Sequence, residues 1–90
     1  MKQTQPKPET PLTDAFRAWL SAALTETEQK PGTVARAIGA GVNTVGVFLR
    51  DPTRDITLSR AADLERHLRK VARAQGKALP PIAQRVARNA

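Results

Sequence analysis

The chain has 90 residues, no cysteine, three aromatic residues and a formal net charge of +7 at pH 7. This length is typical of one small domain, whose core must be built mainly from Leu, Val, Ile and Ala. The absence of cysteine excludes disulfides and thiolate metal sites, and no apolar run approaches the roughly 20 residues of a membrane span. We therefore expect a soluble cytoplasmic protein of marginal stability.

The N-terminal region is predicted to be an arm followed by a helix. Residues 1–11 are mostly polar and contain three prolines, which predicts a disordered arm. Helix 1 is expected from Asp14 to about Leu24, with Thr13 as its N-cap. Apolar residues at helical spacing predict that its buried stripe is Phe16, Trp19, Leu20, Ala23 and Leu24. We assign Trp19 to the core on this spacing.

Two short helices joined by a glycine-containing turn are predicted next. Pro31 suits a first helical turn, so helix 2 is expected to begin near Gly32 or Thr33. Glycines then interrupt the helix, since glycine adopts positive φ without steric cost. Apolar spacing resumes and predicts helix 3 over about Val42 to Arg50. A steep crossing of the two helices requires a small residue, a flexible turn and a branched apolar residue. The predicted turn and helix-packing residues are Ala35, Gly39, Gly41 and Val45.

The remaining chain is predicted to contain a loop, a long helix and a tail. Pro52 disfavours helical geometry at the residue before it, so a loop is expected over 51–55. Helix 4 is expected over 58–75, with Thr57 as N-cap and Gly76 as C-cap. Its predicted apolar side is Leu58, Ala61, Ala62, Leu64, Leu68, Val71 and Ala72. A short last helix is predicted over 82–90.

These elements predict an all-α, compact bundle of four to five helices with a central helix-turn-helix. The expected organisation is an arm over 1–11, a helix-turn-helix domain over 12–76 and a basic tail or short helix over 77–90.

The run V-A-x-x-I-G-x-G-x-x-x-V-G resembles the lambda-repressor/Xre family of phage and bacterial repressors. Its residues are Val34, Ala35, Ile38, Gly39, Gly41, Val45 and Gly46. The continuation Phe48-Leu49-Arg50 and the later ITLSRAADLERHL are similar to the loop and following helix of that family, so the resemblance covers about 12–71. It implies a sequence-specific DNA-binding regulator, in which helix 3 reads the major groove. Val42 departs from the Gln or Ser that members commonly place at the start of this helix.

The outward residues of helix 3 are the candidate base contacts. An asparagine amide can form two hydrogen bonds with an adenine edge, and valines can contact thymine methyl groups. With Val45, Phe48 and Leu49 turned inward, the predicted base contacts are Val42, Asn43, Thr44, Gly46 and Val47. Gly46, which lacks a side chain, is expected to let the helix lie deep in the groove.

The basic residues indicate a polyanionic partner. From residue 58 onward, eight Lys/Arg oppose two acidic residues, a net of +6. The predicted DNA-backbone contacts are Gly32, Thr33, Arg36, Arg50 and Arg54. We therefore expect double-stranded DNA as partner and association with the nucleoid when bound. Since one recognition helix reads too few base pairs, we also expect a homodimer through helix 58–75 and the C-terminal tail.

No catalytic, cofactor or metal site is expected. The chain has one histidine, His67, and Gly39-x-Gly41 lacks the strand and lysine of a phosphate-binding loop. Two other functions remain open. One is a helix-turn-helix module that binds a second protein, such as an antitoxin or anti-activator, with Val42 and Val47 packed against the partner. The other is a DNA-bending excision accessory factor.

Overall fold

The computed structural model describes residues 9–82, and within them the side chains of residues 13–82. This part of the chain forms four α-helices and no strand: α1 (Glu9–Thr27), α2 (Pro31–Ala37), α3 (Thr44–Arg50) and α4 (Leu58–Ala74). The predicted all-α bundle is confirmed. The long helices α1 and α4 pack together, while α2 packs against α3 and α4, and α3 against α1. None of these four helices is long and apolar enough to cross a membrane.

One cluster of apolar side chains forms the core between the helices. The stripe predicted for α1 is buried in full, and Trp19 belongs to it with only 6% of its surface exposed. The other helices contribute Val34 and Ala35 (α2), Val45 and Phe48 (α3), and Leu64 and Leu68 (α4).

The contact between α2 and α3 is formed by one small residue and two β-branched apolar residues. Val34, Ala35 and Val45 are 0% exposed. Each of the two helices has only seven residues, and helices of that length are not stable alone in water. Both helices therefore depend on the apolar side chains that they bury against each other and against the long helices.

Three helices end in the same hydrogen-bonded arrangement. After α2, the N–H groups of Gly39 and Ala40 donate to carbonyls of the last turn at 3.0 and 2.9 Å. This Schellman arrangement needs a residue with positive φ, and Gly39 has a φ of +79°. Gly76 takes the same position after α4 with a φ of +75°. After α1 the position is occupied by Glu28, with a φ of +56°, where the Cβ is unfavourable by about 1–2 kcal/mol.

The second turn glycine, Gly41, does not have the positive φ expected of it. Its carbonyl accepts the N–H of Thr44 at 3.0 Å, and Asn43 has φ −92° and ψ −4°, the angles of the third residue of a type I turn. The turn occupies the first residues of the predicted helix 3. Helix α3 therefore begins at Thr44, and the prediction that it begins at Val42 is wrong.

Helix α1 begins earlier than predicted. It starts at Glu9 rather than Asp14, so Thr13 lies inside the helix and is not its N-cap. Pro11 lies in the first turn, where the missing proline N–H removes no helical hydrogen bond. The first residues of the predicted arm, 1–8, lie outside the described part of the chain.

Helix α1 also continues past Leu24, to Thr27. Groups from the segment after α4 bond to its last carbonyls: Gln75 Nε2 donates to Thr27 O at 3.0 Å and Lys77 Nζ to Glu26 O at 2.7 Å. These carbonyls have no intrahelical donor, and a cation is favourable at this end of a helix. Long-range contacts therefore support the polar last turn of α1.

Helix α4 agrees with the prediction at its ends but not along its whole apolar side. The Thr57 hydroxyl accepts the N–H of Arg60 at 3.1 Å, which confirms Thr57 as the N-cap. The first turn of α4 contributes no buried side chain, so Leu58 is 75% exposed and Ala62 is exposed as well. The buried residues of α4 are Leu64, Leu68 and Ala72.

The segment after α4 returns to α1. Trp19 Nε1 donates to the carbonyl of Pro80 at 2.7 Å, and Ile82 is 8% exposed. Apart from Ile82, the helix predicted over 82–90 lies outside the described residues.

We predict that Gly39→Ala lowers the free energy of unfolding by about 1–2 kcal/mol, because a Cβ is unfavourable at positive φ. No heavy atom of the described residues lies within 4 Å of that Cβ position, so the substitution acts only through the backbone conformation. The control is Gly41→Ala in the same turn, with an ordinary φ and Thr44 Oγ1 at 3.4 Å, which should change the free energy by less than about 0.5 kcal/mol. Urea unfolding followed by Trp19 fluorescence measures both. Equal effects would contradict the prediction.

Candidate nucleic-acid interface

The outward side of α3 and the turn before it form one accessible surface. We call it the α3 surface and define it by Val42, Asn43, Thr44, Gly46 and Val47. Val42 is 49% exposed, Asn43 is exposed, and the other three are half-buried. The residues predicted to contact bases therefore lie on the side of α3 opposite the core, with Val42 and Asn43 in the turn rather than in the helix.

The side chain of Asn43 is exposed at the start of α3. Asn43 occupies the N-cap position of α3, where an asparagine side chain commonly accepts a hydrogen bond from a free N–H of the first turn. It makes no such bond here. The start of α3 relies on the backbone instead, since the Asn43 carbonyl accepts the N–H of Val47 at 3.0 Å. The exposed amide thus presents its donors and its acceptor to a ligand.

A depression of about 420 Å³ separates the α3 surface from the beginning of α4. Its α3 side is lined by Asn43, Thr44, Val47 and Phe48, and its other side by Arg54, Asp55, Ile56, Thr57 and Arg60. Sequence reasoning did not place Arg60 here. The signal was present, because the N-cap at Thr57 puts Arg60 in the first turn of α4.

Gly32 lets the turn before α3 pack on the start of α2. A Cβ on Gly32 would lie 3.0 Å from Cγ2 of Val42 and 3.6 Å from its carbonyl oxygen. A larger residue would require the Val42 side chain to move by a few tenths of an ångström. Thr33, the next residue, is exposed beside this contact. The structure thus brings the start of α2 next to the α3 surface.

Gly46 has a second neighbour that the sequence did not predict. A Cβ on Gly46 would lie 3.2 Å from Nη1 of Arg50 and 3.9 Å from Cβ of Pro31. The space left by the missing side chain is therefore occupied in part by the Arg50 guanidinium, which folds back along α3. Arg50 is exposed at the end of a flexible side chain, so a ligand at Gly46 would have to displace it.

The exposed arginines Arg50, Arg54 and Arg60 lie beside the α3 surface, and Arg36 is exposed in the last turn of α2. Within residues 13–82, no carboxylate forms an ion pair with Arg36, Arg50 or Arg60. Arg54 Nε lies 3.7 Å from Oδ2 of Asp51, and both side chains are substantially exposed. Exposed pairs of this kind contribute little, so the Arg54 charge remains accessible to a polyanion.

The loop after α3 is organised by one carboxylate. Helix α3 ends before Asp51, as Pro52 predicts. Asp51 Oδ1 accepts hydrogen bonds from the Thr53 hydroxyl at 2.6 Å and from the Thr53 N–H at 3.0 Å. These bonds, the one from the hydroxyl above all, together with nearby Arg54, lower the pKa of Asp51.

Sequence reasoning missed Arg17, which connects α1 to this loop. Its guanidinium donates to the carbonyls of Phe48 and Arg54 and lies 4.4 Å from the centre of the Phe48 ring. The only sequence signal was its place beside the buried stripe of α1, one turn after Asp14.

The histidine lies elsewhere. His67 is half-buried in a second depression of about 310 Å³, between the end of α2 and α4, with Ala37, Ile38, Asp63, Arg66 and Lys70. Among the described residues no group of His, Asp and Glu could hold a metal ion.

Comparison with protein-family models, with curated proteins and with solved structures gives no significant match for this chain.

We predict that Thr53→Val raises the pKa of Asp51 toward its ordinary value, because the hydroxyl bond is the largest cause of the lowered pKa. Thr53→Ser, which keeps the hydroxyl, should keep it low. A carbon-detected NMR titration of the Asp51 carboxyl measures both, and an unchanged pKa in Thr53→Val would refute this assignment. Because the folded pKa is lowered, the stabilisation is complete above the ordinary carboxyl pKa and is lost as pH falls through the folded pKa.

Proposed function

We propose that this chain is a sequence-specific double-stranded DNA-binding regulator, a dimeric repressor of the lambda-repressor/Xre kind from a phage or mobile element. The α3 surface contacts base edges in the major groove, and the surrounding arginines contact phosphates. The proposal rests on the residues of one accessible surface and on charge.

The observation that supports it most is the exposed amide of Asn43. This side chain is exposed and makes no capping bond, in keeping with its turn backbone angles rather than the extended angles of a capping residue. A side-chain amide forms two hydrogen bonds with the N6 and N7 edge of adenine, worth about 1–3 kcal/mol of discrimination. Placed beside Val42 and Val47, which offer apolar contact to thymine methyl groups, it suits a mixed A·T site.

The arginines support a duplex as the ligand. Arg36, Arg50 and Arg60 have no ion-pair partner among the described residues. The start of α2, with Gly32 and Thr33, adjoins the same surface through its contact with Val42. Guanidinium groups beside an outward helix suit the phosphates that border a major groove.

A second copy of the chain is part of the proposal. A helix of seven residues covers few base pairs, and proteins of this architecture gain specificity by binding two half-sites. Leu58, at 75% exposure, and Ala62 give α4 an apolar strip that a second copy would cover.

The exposure of Val42 also favours the main alternative function, a helix-turn-helix module that binds a protein. A half-exposed valine beside Val47 suits an apolar protein surface as well as a thymine methyl group. The two functions differ in what Asn43 and the arginines do, and the next two experiments separate them.

We predict that Asn43→Ala lowers the preference for the selected duplex over a scrambled one by about tenfold, while binding to the scrambled duplex is unchanged, since one bidentate base contact is lost. The duplex is selected from a random pool by the wild-type chain, and affinities are measured by fluorescence anisotropy. Ser21→Ala, an exposed polar change on α1, is the control and should have no effect. A wild-type chain that selects no sequence, but forms a stable complex with a second protein, would favour the rival.

We predict that Arg54→Gln lowers the slope of log affinity against log salt by about 1, the loss of one phosphate contact. Arg73→Gln, in the last turn of α4, changes the net charge equally and should leave the slope as it is. Affinity is measured at several salt concentrations on the selected duplex. The same slope change in both variants would mean that the charge acts without a defined contact at Arg54.

A further inference from the structure

Two arginines of this chain make the same set of contacts at different places. Arg17 Nη1 pairs with Asp14 on its own helix at 3.0 Å. Its Nε donates to the carbonyl of Phe48 at 2.9 Å and its Nη2 to the carbonyl of Arg54 at 2.6 Å, and the guanidinium lies over the Phe48 ring. Its side chain is only 13% exposed.

Arg69 repeats this pattern on α4. It pairs with Glu65 one turn earlier at 2.8 Å and lies 5.2 Å from the centre of the Trp19 ring. It donates to the carbonyls of Leu79 and Pro80 at 3.0 and 3.1 Å. Each arginine therefore fixes another segment to a long helix: Arg17 holds the end of α3 and the loop after it, and Arg69 holds the segment after α4. Only Arg17 does so beside the α3 surface.

The Phe48 carbonyl needs an outside donor for a reason that lies in the sequence. The N–H that would bond to it in a continued helix belongs to residue 52, which is a proline and has none. Arg17 supplies the missing donor, and its charge is favourable at the C-terminal end of α3. Charge-assisted bonds of this type are roughly twice as strong as neutral ones.

The second bond extends this fixation to the loop. The Arg54 carbonyl belongs to the segment that forms the far side of the depression, together with Asp55 and Ile56. The near side is α3 itself. The Arg17 guanidinium thus fixes both sides of the depression relative to α1. It thereby determines the position of the Arg54 side chain relative to Asn43.

We propose that Arg17 is a positioning residue for DNA recognition: it sets the geometry of the α3 surface and the 51–55 loop without touching the duplex. This rests on the proposed function. Without Arg17, only the fraction of molecules that keeps the binding arrangement recognises the preferred sequence. Specific affinity falls by that fraction, roughly tenfold if about one molecule in ten keeps it. Non-specific binding follows the number of cations near phosphates and is largely retained.

The test compares Arg17→Met with Arg69→Met in the full chain. Both variants lose one charge, one ion pair, two carbonyl bonds and one ring contact, so both lose stability. Far-UV circular dichroism fixes a temperature at which both are folded, and Arg17→Lys replaces Arg17→Met if the latter does not fold. Affinity is measured for the duplex selected by the wild type and for a scrambled duplex, each at several salt concentrations.

We expect Arg17→Met to weaken binding to the selected duplex about tenfold, to change binding to the scrambled duplex by less than about twofold, and to leave the salt slope as in the wild type. Arg17→Lys, which can reach one carbonyl but not both, should fall between wild type and Arg17→Met. Because Arg69 lies on the helix proposed to form the dimer, Arg69→Met is compared at a protein concentration at which size-exclusion chromatography shows the oligomeric state of the wild type, and there it should bind both duplexes as the wild type does.

Three results would overturn the positioning role. Equal effects of Arg17→Met and Arg69→Met would make both arginines purely structural. Specific and non-specific affinity could fall together with a smaller salt slope, which places Arg17 on a phosphate. Arg17→Met could also bind as the wild type does. A wild-type chain without any preferred duplex would instead overturn the proposed function, and the positioning role with it.

Discussion

The close packing of α2 on α3 is the constraint on which the rest of this structure depends. Neither seven-residue helix can persist alone, so each must bury its apolar side, and Val34, Ala35 and Val45 do so completely. Alanine at position 35 allows the two backbones to approach, and Gly39 supplies the left-handed residue that reverses the chain between them. Once the inner sides are fixed in this way, the outer side of α3 faces away from the core, with Val42 and Asn43 exposed.

The same packing explains why polar groups meet at one place. The turn that precedes α3 lies against Gly32, which brings the start of α2 to the α3 surface. The loop that follows α3 is held to α1 by Arg17 and leads directly into the first turn of α4. Residues of α3, of the loop after it and of the first turn of α4 therefore surround one depression, which is lined by Asn43, Arg54 and Arg60 among others. Recognition of a duplex is our interpretation of that arrangement.

Much of the fold could be predicted because local chemistry decides it. Pro52 ends α3 and Thr57 caps α4 through interactions within a few residues, and the α1 stripe follows from helical spacing. Two of the misses have long-range causes. The extension of α1 to Thr27 depends on hydrogen bonds from Gln75 and Lys77, about fifty residues away. The role of Arg17 depends on the Phe48 carbonyl, which only the folded chain brings near it. For the candidate site, the outward residues of α3 could be predicted from the sequence. The turn geometry at Val42, the position of the Arg50 side chain over Gly46 and the position of Arg60 were not predicted.

In the proposed function, the outward side of α3 and the turn before it bind base edges of a duplex. The most direct measurement is an amide NMR titration of the full chain with the duplex that it selects and with a scrambled duplex. With the selected duplex we predict large changes of amide chemical shift over residues 42–47 and at Arg54 and Arg60. With the scrambled duplex the changes over residues 42–47 should be much smaller. Shift changes confined to the second depression, at Ile38, Arg66 and Lys70, would contradict this interpretation. Identical changes with both duplexes would also contradict it.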